Sequence, residues 1–442
     1  MKSRALALLL LAAGSVRADG PADSGPVPLP SPLDLKAALL YAVDHNFTIR
    51  QAREQIRQQD GVVLQVQAQA IPNVNANGQY ERNSTAISQF YPPSNSNWEI
   101  QVKATQVLFA GGGVVSAVKN AKLVRESALA ALQTAINAAL LDVRTRFYTV
   151  LLTGEKVRVQ EQNVELFGRQ LGDTNNQFHA GTVSNFDLLR ARVALANARP
   201  DLITARNDAR IAIEQLRQSL GVPSGPNGPA AFPPVAGTLE ITPVTFDLDQ
   251  ALASARAHRP ELEQLAKLQE AAEQGVTTAR SNYYPNLSAF GGYQWDNFGF
   301  AGMGSIGANG WEAGLQSSWA IFDGRATTGR VRQAKSVLEQ SRLSVATEEL
   351  AIDVAVRQAV SALQEAGDLV AASKETAGQA EEAVRLARER FLVGSATQLD
   401  VQTSEVALTQ ARTNQLQANY NYLVAVAALR QAEGMADALV TN

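Results

Sequence analysis

Residues 178–191 read FHAGTVSNFDLLRA, and residues 391–404 read FLVGSATQLDVQTS. In both, Phe is followed at three-residue steps by Gly, by Ser or Thr, and by Asp: Phe178, Gly181, Ser184, Asp187 and Phe391, Gly394, Thr397, Asp400. The local chemistry is that of a helix stop and restart. Gly181 and Gly394 suit the left-handed position that ends a helix. Ser184 and Thr397 can cap the next one, and the Asp three residues on completes a capping box. The same turn is thus written twice, 213 positions apart (181 to 394), each time within a long run of helical pattern.

Working outward, the offset holds without a gap. DLKAALLYAVDHNFTIRQA (34–52) aligns with DLDQALASARAHRPELEQL (247–265), and Pro72-Asn73 with Pro285-Asn286. Gly78, Tyr80, Trp98-Glu99, Phe109 and Gly221 have twins in Gly291, Tyr293, Trp311-Glu312, Phe322 and Gly434. Chance similarity between helices would not keep register through strands and loops, so the pattern predicts a tandem structural repeat. The organisation read from it is a first unit at 33–221, a Pro-rich linker at 222–246 holding six prolines, a second unit at 247–436 and a tail at 437–442.

Each unit begins with a helical pattern of about 35 residues (35–69, 248–282) stopped by Pro72 or Pro285, with Pro260 suiting a fresh helical turn. The period then changes to two. Val74, Ala76, Gly78 and Tyr80 alternate with Asn, Gln and Glu, and Trp98, Ile100, Val102 and Ala104 alternate with Glu99, Gln101, Lys103 and Thr105. Leu287 to Trp295 and Trp311 to Leu315 keep that parity, which predicts strands with one apolar and one polar face, joined by loops at 83–96 and 297–310. LFAGGG (108–113) or IFDGRA (321–326) then turns the chain into a helix of sixty-odd residues, on the order of 100 Å long. Its Ala121–Ala138 stripe of small residues and Leu129–Phe147 stripe of bulky ones suit either one broad buried face or two seams. Pro200, whose twin is Thr413, predicts a break or kink in the returning helix: either a joint or a tolerated surface bend.

The first eighteen residues, MKSRALALLLLAAGSVRA, read as a secretory signal: Lys2 and Arg4, an apolar core, and a small-residue cleavage site ending at Ala18. Residues 19–32 read as an extended Pro-rich segment. The chain has no cysteine, so export brings neither disulfides nor a lipidated thiol. No later run of about eighteen apolar residues predicts a membrane-spanning helix. With 39 basic and 42 acidic residues and no basic patch, nucleic acid is not expected as a partner.

Alternating strands with a face as polar as N-x-N-x-N-x-Q-x-E suit a membrane β-barrel with a wet lumen. Tyr80, Trp98, Tyr293, Trp295 and Trp311 would form its aromatic girdle near the loop ends. Four strands cannot close, because in lipid every edge group must be paired, so several chains would share one barrel; three would give twelve strands.

In these features the chain resembles the TolC-type outer-membrane efflux channel family (outer membrane factors). The resemblance covers roughly 33–436 and rests on the duplicated order, on IPNVNANGQY and YPNLSAFGGY, on the LFAGG and IFDGR turns and on the paired tips. It implies a mixed α/β membrane protein: a homotrimer of long helices forming an α-barrel through the periplasm, with four strands per chain in a shared 12-stranded β-barrel. It further implies a passive exit duct without cofactor or enzymatic activity. Its partners would be a periplasmic adaptor (membrane fusion) protein, an inner-membrane pump of RND or ABC type and outer-membrane lipid. Phe178, Gly181, Ser184, Asp187, Phe391, Gly394, Thr397 and Asp400 would line the periplasmic mouth and meet the adaptor. The family prototype closes that mouth with a Tyr and an Arg linked to an Asp. Here the matching positions are Phe391 and Ala396, which lack hydroxyl and charge, so the closure around Asp187 is expected to differ.

Nothing else points to chemistry. His45, His179 and His258 are scattered without metal-ligand spacing, and FAGGG lacks both phosphate-loop spacings. The rival reading is a secreted coiled-coil scaffold or stalk whose strands form a soluble sheet.

Overall fold

The computed structural model describes residues 29–82, 84, 96–223, 232–300, 304–435, 437 and 439–440. The expected signal (1–18), most of the 19–32 segment and nearly all of the 83–96 loop lie outside them.

Eight α-helices and four strands are described. In order they are α1 (Leu35–His45), α2 (Phe47–Gln67), β1 (Asn73–Arg82), β2 (Ser96–Ala110), α3 (Gly113–His179) and α4 (Asn185–Leu220). Then follow α5 (Leu248–His258), α6 (Pro260–Ser281), β3 (Asn286–Phe300), β4 (Gly304–Ser318), α7 (Ala326–Leu392) and α8 (Gln398–Ala432). The 67-residue α3 and α7 each rise about 100 Å. Each pairs along its length with the helix that follows it, α3 with α4 and α7 with α8, while α8 also lies against α3.

Several sequence expectations need correction. The opening 35-residue helix is two helices. Asn46 leaves helical geometry (ψ 127°), and its side chain caps α2 by accepting from Thr48 and Ile49 N–H at 2.8 and 3.2 Å. Arg259 makes the same break before Pro260. The second-unit loop read at 297–310 is largely strand, because its Gly-rich residues pair from Asn297↔Gly307 to Phe300↔Gly304. Pro200 does not interrupt α4: it lies on the exposed side of the helix, as does Ala196, the residue whose carbonyl it leaves without a helical donor. In α3 the exposed Leu129 drops out of the bulky stripe, and Ser127, Ala130 and Ala139 are buried in place of Ala138.

Two apolar clusters hold the middle of the shaft. One joins Leu33, Leu39 and Ala42 to Leu140, Val143, Phe147, Leu216 and Leu220. The other joins Ala251 and Ala255 to Ile352, Val356, Leu363, Tyr422 and Leu429. The linker is not merely a surface crossing. Phe232 and Val235 pack on the first cluster and Ile241 and Phe246 on the second, and Leu33 exchanges backbone hydrogen bonds with Pro234 and Ala236 at 2.9 Å. Tail residues Leu439 and Val440 also cover the first cluster.

Contacts recur at the 213 offset. Asn46 Nδ2 donates to the Ser219 carbonyl at 2.7 Å, and Arg259 Nε donates to the Ala432 carbonyl at 3.0 Å. Gln106 Nε2 donates to Ala70 O, and Trp319 Nε1 to Tyr283 O, both at 3.1 Å. The acceptors are backbone carbonyls, so different side chains satisfy one geometry.

Candidate functional site

Two ends of the molecule carry features that packing alone does not explain: the turns that join each long helix to its return, and the sheet.

At the first turn α3 stops at His179. Gly181 (φ +73°) donates to Phe178 O at 2.9 Å and Thr182 N–H to Gln177 O at 3.0 Å, satisfying carbonyls at the helix end. Ser184 then caps α4. Asp187 N–H donates to Ser184 Oγ (3.2 Å), and Asp187 Oδ2 accepts from Ser184 N–H (3.2 Å) and Oγ–H (2.6 Å). The second turn repeats this with Gly394 (φ +75°), Phe391 and the Thr397–Asp400 box, whose return bonds are 2.7 and 2.8 Å. Both carboxyls are held below the usual carboxylate range. For Asp187 the Ser184 hydroxyl is the largest cause; for Asp400 it is the Thr397 backbone N–H. Asp187 is therefore engaged within its own turn. Just above the turns, α4 and α8 line an open apolar groove with Phe186, Leu189, Val193, Leu399 and Val406, none of which was singled out from the sequence.

Above the turns, α3 and α8 are joined by side-chain bonds at heptad steps on α3. Thr149 meets Tyr420 (3.2 Å), Lys156 meets Gln417 (2.9 Å) and Asn163 meets Thr409 (3.5 Å). Gln170 then meets Glu405 (2.5 Å), and Thr174 meets Gln398 (3.0 Å) beside the turn. Glu405 is only 2% exposed and also accepts from Arg388 of α7 at 2.9 Å, so one buried carboxylate ties three helices. The sequence carries a trace of it: an acid one helical turn after Val401, within an otherwise apolar stripe.

The sheet has order β1-β2-β3-β4, antiparallel throughout. Register puts Tyr80 opposite Trp98 and Tyr293 opposite Trp311, on the face that also holds Ile100, Val102 and Trp295. The aromatics do not share one level. Tyr293 and Trp311 sit midway along 15-residue strands, because both strands run on through the stretch read as loop, while Tyr80 and Trp98 lie nearer the outer end. The other face is a polar network. Lys103 pairs with Glu312 at 3.1 Å, and Gln101 donates to Gln294 (3.3 Å) and Glu312 (3.1 Å). Lys103 Nζ also stands 4.1 Å from the Phe290 ring centre. Among the described residues no strand pairs with the outer edges of β1 and β4.

His45 and His258 each direct Nδ1 to a carbonyl one turn back, and no group of described residues could hold a metal ion. No described helix is long and apolar enough to cross a membrane.

A shaft of paired long helices, with helical turns at one end and an amphipathic antiparallel sheet at the other, is the build of a tubular outer-membrane transport protein. The chain belongs to the outer membrane efflux protein family, whose model matches residues 41–222 and again 251–435. It lies in the outer membrane, with its long helices in the periplasm, and its family is one of exit channels. It is 23% identical to the outer membrane protein TolC of Escherichia coli over 316 residues, covering 68% of this chain and 62% of TolC. It is 24% identical to the outer membrane efflux protein BepC of Brucella suis over 405 residues, covering 90% of this chain and 85% of BepC. Among solved structures, VceC of Vibrio cholerae superposes with a TM-score of 0.74 at 16% identity, covering 91% of this chain and 96% of that one. The Campylobacter jejuni CmeC channel gives 0.75 at 14%, covering 90% and 85%. These likenesses are likenesses of fold.

Proposed function

We propose that three copies of this chain form a passive exit duct, the outer-membrane member of a tripartite efflux or type I secretion system. The observation that carries this reading is the open sheet: one polar face, one aromatic and aliphatic face, and two edges that no strand among the described residues pairs. A lone four-stranded sheet in lipid would leave two rows of backbone N–H and C=O groups unsatisfied. Closure by β1 of one copy on β4 of the next removes both edges and gives twelve strands around a polar lumen, with the aromatic residues toward lipid. The chain is then a tandem repeat, and its two kinds of hairpin alternate six times around the tube. The twin hydrogen bonds at Asn46 and Arg259 and the twin turns support that reading.

The turns at Gly181 and Gly394 become six similar ends around the periplasmic mouth. The apolar groove of Phe186, Leu189, Val193, Leu399 and Val406 beside them suits the helices of a periplasmic adaptor bringing an RND or ABC-type pump. Closure rests on helix packing and coiling, since Phe391 and Ala396 cannot supply a Tyr–Arg–Asp link. A duct of this kind leaves the choice of cargo to its pump. The relatives include a cobalt-zinc-cadmium resistance protein and an alkaline protease secretion protein.

Detergent-extracted protein is expected to run as a heat-modifiable trimer from outer-membrane fractions, with a small resting conductance in planar bilayers. Photoreactive residues at positions 181, 184, 394 and 397 should capture the adaptor in cells. A monomer released soluble from the periplasm would instead establish the stalk; a large resting conductance would sink closure by packing.

A further inference from the structure

We infer that the N-terminal arm of each copy, residues 19–32, straps that copy to its neighbour by lying in a groove on the neighbour's second unit. The inference rests on the trimeric reading above. The groove lies at mid-shaft between α5 and the end of α8, has a volume of about 610 Å³, and is lined by Phe246, Leu363, Val426, Leu429, Arg430 and Met435. Its twin on the first unit is filled by the linker. There the Phe232 ring lies 5.7 Å from the Arg217 guanidinium, Leu33 N–H donates to Pro234 O, and Ala236 N–H donates to Leu33 O. Under that cover Leu33 is 0% exposed and Arg217 4%. At the 213 offset Phe246 stands for Leu33 and Arg430 for Arg217. Phe246 is only half-buried, Arg430 is exposed, and the Phe246 backbone N–H and C=O have no hydrogen bond among the described residues. One site is thus present twice, closed in the first unit and open in the second.

The path of the linker says what closes the open one. From Phe232 the linker passes beside Phe147 and Leu151 of α3 at Gly237, accepts from Asn419 of α8 at Leu239 O (3.3 Å), and reaches Phe246. It therefore runs from the groove of the first unit across to the second unit. The arm is its twin: fourteen steps separate 232 from 246 and 19 from 33, and Pro21 and Pro30 match Pro234 and Pro243. In a ring of three copies, the unit that precedes a first unit is the second unit of the copy before it. The arm accordingly starts in that copy's open groove and ends at its own Leu33.

The chemistry of the arm suits that place. The twin of Phe232 is Asp19, so the cation–π contact with Arg217 becomes an ion pair with Arg430. Pro21 offers its carbonyl to Phe246 N–H as Pro234 does to Leu33, and Asp23 supplies the N–H that Ala236 supplies. At the crossing Arg206 replaces Asn419 and can also donate to a carbonyl. Ala209 replaces Tyr422, whose hydroxyl accepts from Val244 N–H at 3.0 Å, so the arm has one anchor fewer than the linker. The expected signal cleavage after Ala18 puts the new chain start at Asp19, the position that fills the groove. Three linkers and three arms then alternate as a closed belt around the shaft.

The test places a photoreactive residue at position 22 of the full-length, exported protein. Irradiated outer membranes should yield covalent dimers and trimers on denaturing gels, with position 22 joined to peptides from 244–258 or 426–435 of a second copy. The same residue at position 235, in the filled groove, should be captured within its own chain and run as a monomer. Asp23→Pro removes the N–H that meets Phe246, and Arg430→Ala removes the partner of Asp19. Each should shorten the lifetime of the trimer in sodium dodecyl sulfate about fivefold or more, the two together no further, while Asp23→Ala stays within about twofold of wild type. Capture of position 22 within its own chain, by another protein, or not at all while the trimer persists would overturn the strap and leave the trimer standing. A monomer mass in detergent would overturn the trimer instead.

Discussion

Four glycines hold nearly the same left-handed backbone, with φ +73° at Gly181, +75° at Gly394, +73° at Gly221 and +72° at Gly434, yet their surroundings differ. At Gly181 and Gly394 an added Cβ meets nothing within 4 Å. At Gly221 it collides with the His45 carbonyl, and at Gly434 it lies 2.8 Å from His258 C and 2.9 Å from Arg259 N. Alanine at any of the four incurs the same backbone cost, about 1–2 kcal/mol for a side chain in the left-handed region. At 221 and 434 the collision is with backbone that is itself locked by the Asn46 and Arg259 hydrogen bonds, so relief requires moving α1 or α5. Overpacking of that kind adds about 1–3 kcal/mol, giving a total of about 2–5 kcal/mol. Urea titration of each variant, followed by far-ultraviolet circular dichroism, compares the four. Gly221→Ala and Gly434→Ala should lower the midpoint clearly more than Gly181→Ala and Gly394→Ala. Because the backbone term is common, equal losses at 181 and 221 would refute the close approach of Gly221 to His45.

Arg325 is a non-glycine residue at φ +73°, where its twin Gly112 has +80°, so Arg325→Gly should stabilise. Relief of about 1–2 kcal/mol, less about 0.5–1 kcal/mol for the added freedom of the unfolded chain, leaves a gain of about 0.5–1 kcal/mol in the same titration. The carboxyls of Asp187 and Asp400 are lowered on folding, so their contribution is present above the ordinary carboxylate range and is lost as pH falls through the folded value. Asp187→Asn should therefore speed amide exchange in the first turn of α4 at neutral pH and match wild type in strong acid; a difference that persisted in acid would remove the charge from the explanation. On the polar face of the sheet, Glu99 and Asp296 stand directly opposite one another, while Lys103 is paired with Glu312. The proposed pore should prefer cations, and Glu99→Gln with Asp296→Asn should reduce the reversal potential in a KCl gradient; an unchanged potential would place both carboxylates outside the pore.

The turns were readable because their chemistry is local. A Gly at a helix end and a Ser or Thr three residues before Asp specify their own hydrogen bonds, whatever surrounds them. The strands were readable by parity but not in extent: Gly307 and Gly310 carry no side-chain signal, and the pairing that makes them strand comes from β3. Asn46 hid its helix break, since a polar residue in a helical run looks like a solvated face until Ser219 is brought to it. The α3–α8 rungs were invisible for the same reason. Thr149, Lys156, Asn163 and Gln170 are ordinary surface residue types, and their partners lie 235 to 271 positions away. Glu405 alone left a mark, as an acid in an apolar stripe.

The unpaired edges of β1 and β4 also govern the order in which this protein can be made. On the trimeric closure proposed above, a sheet that is incomplete as a monomer does not enter the bilayer alone, so insertion follows assembly or coincides with it. Until then each chain carries Val74, Ile100, Leu315 and Trp311 exposed beside two open strand edges, the composition that invites pairing with the wrong partner. The time spent alone in the periplasm falls as subunit concentration rises. Expression level should therefore set yield through the competition between correct closure and mispairing, since both quicken as subunits meet more often.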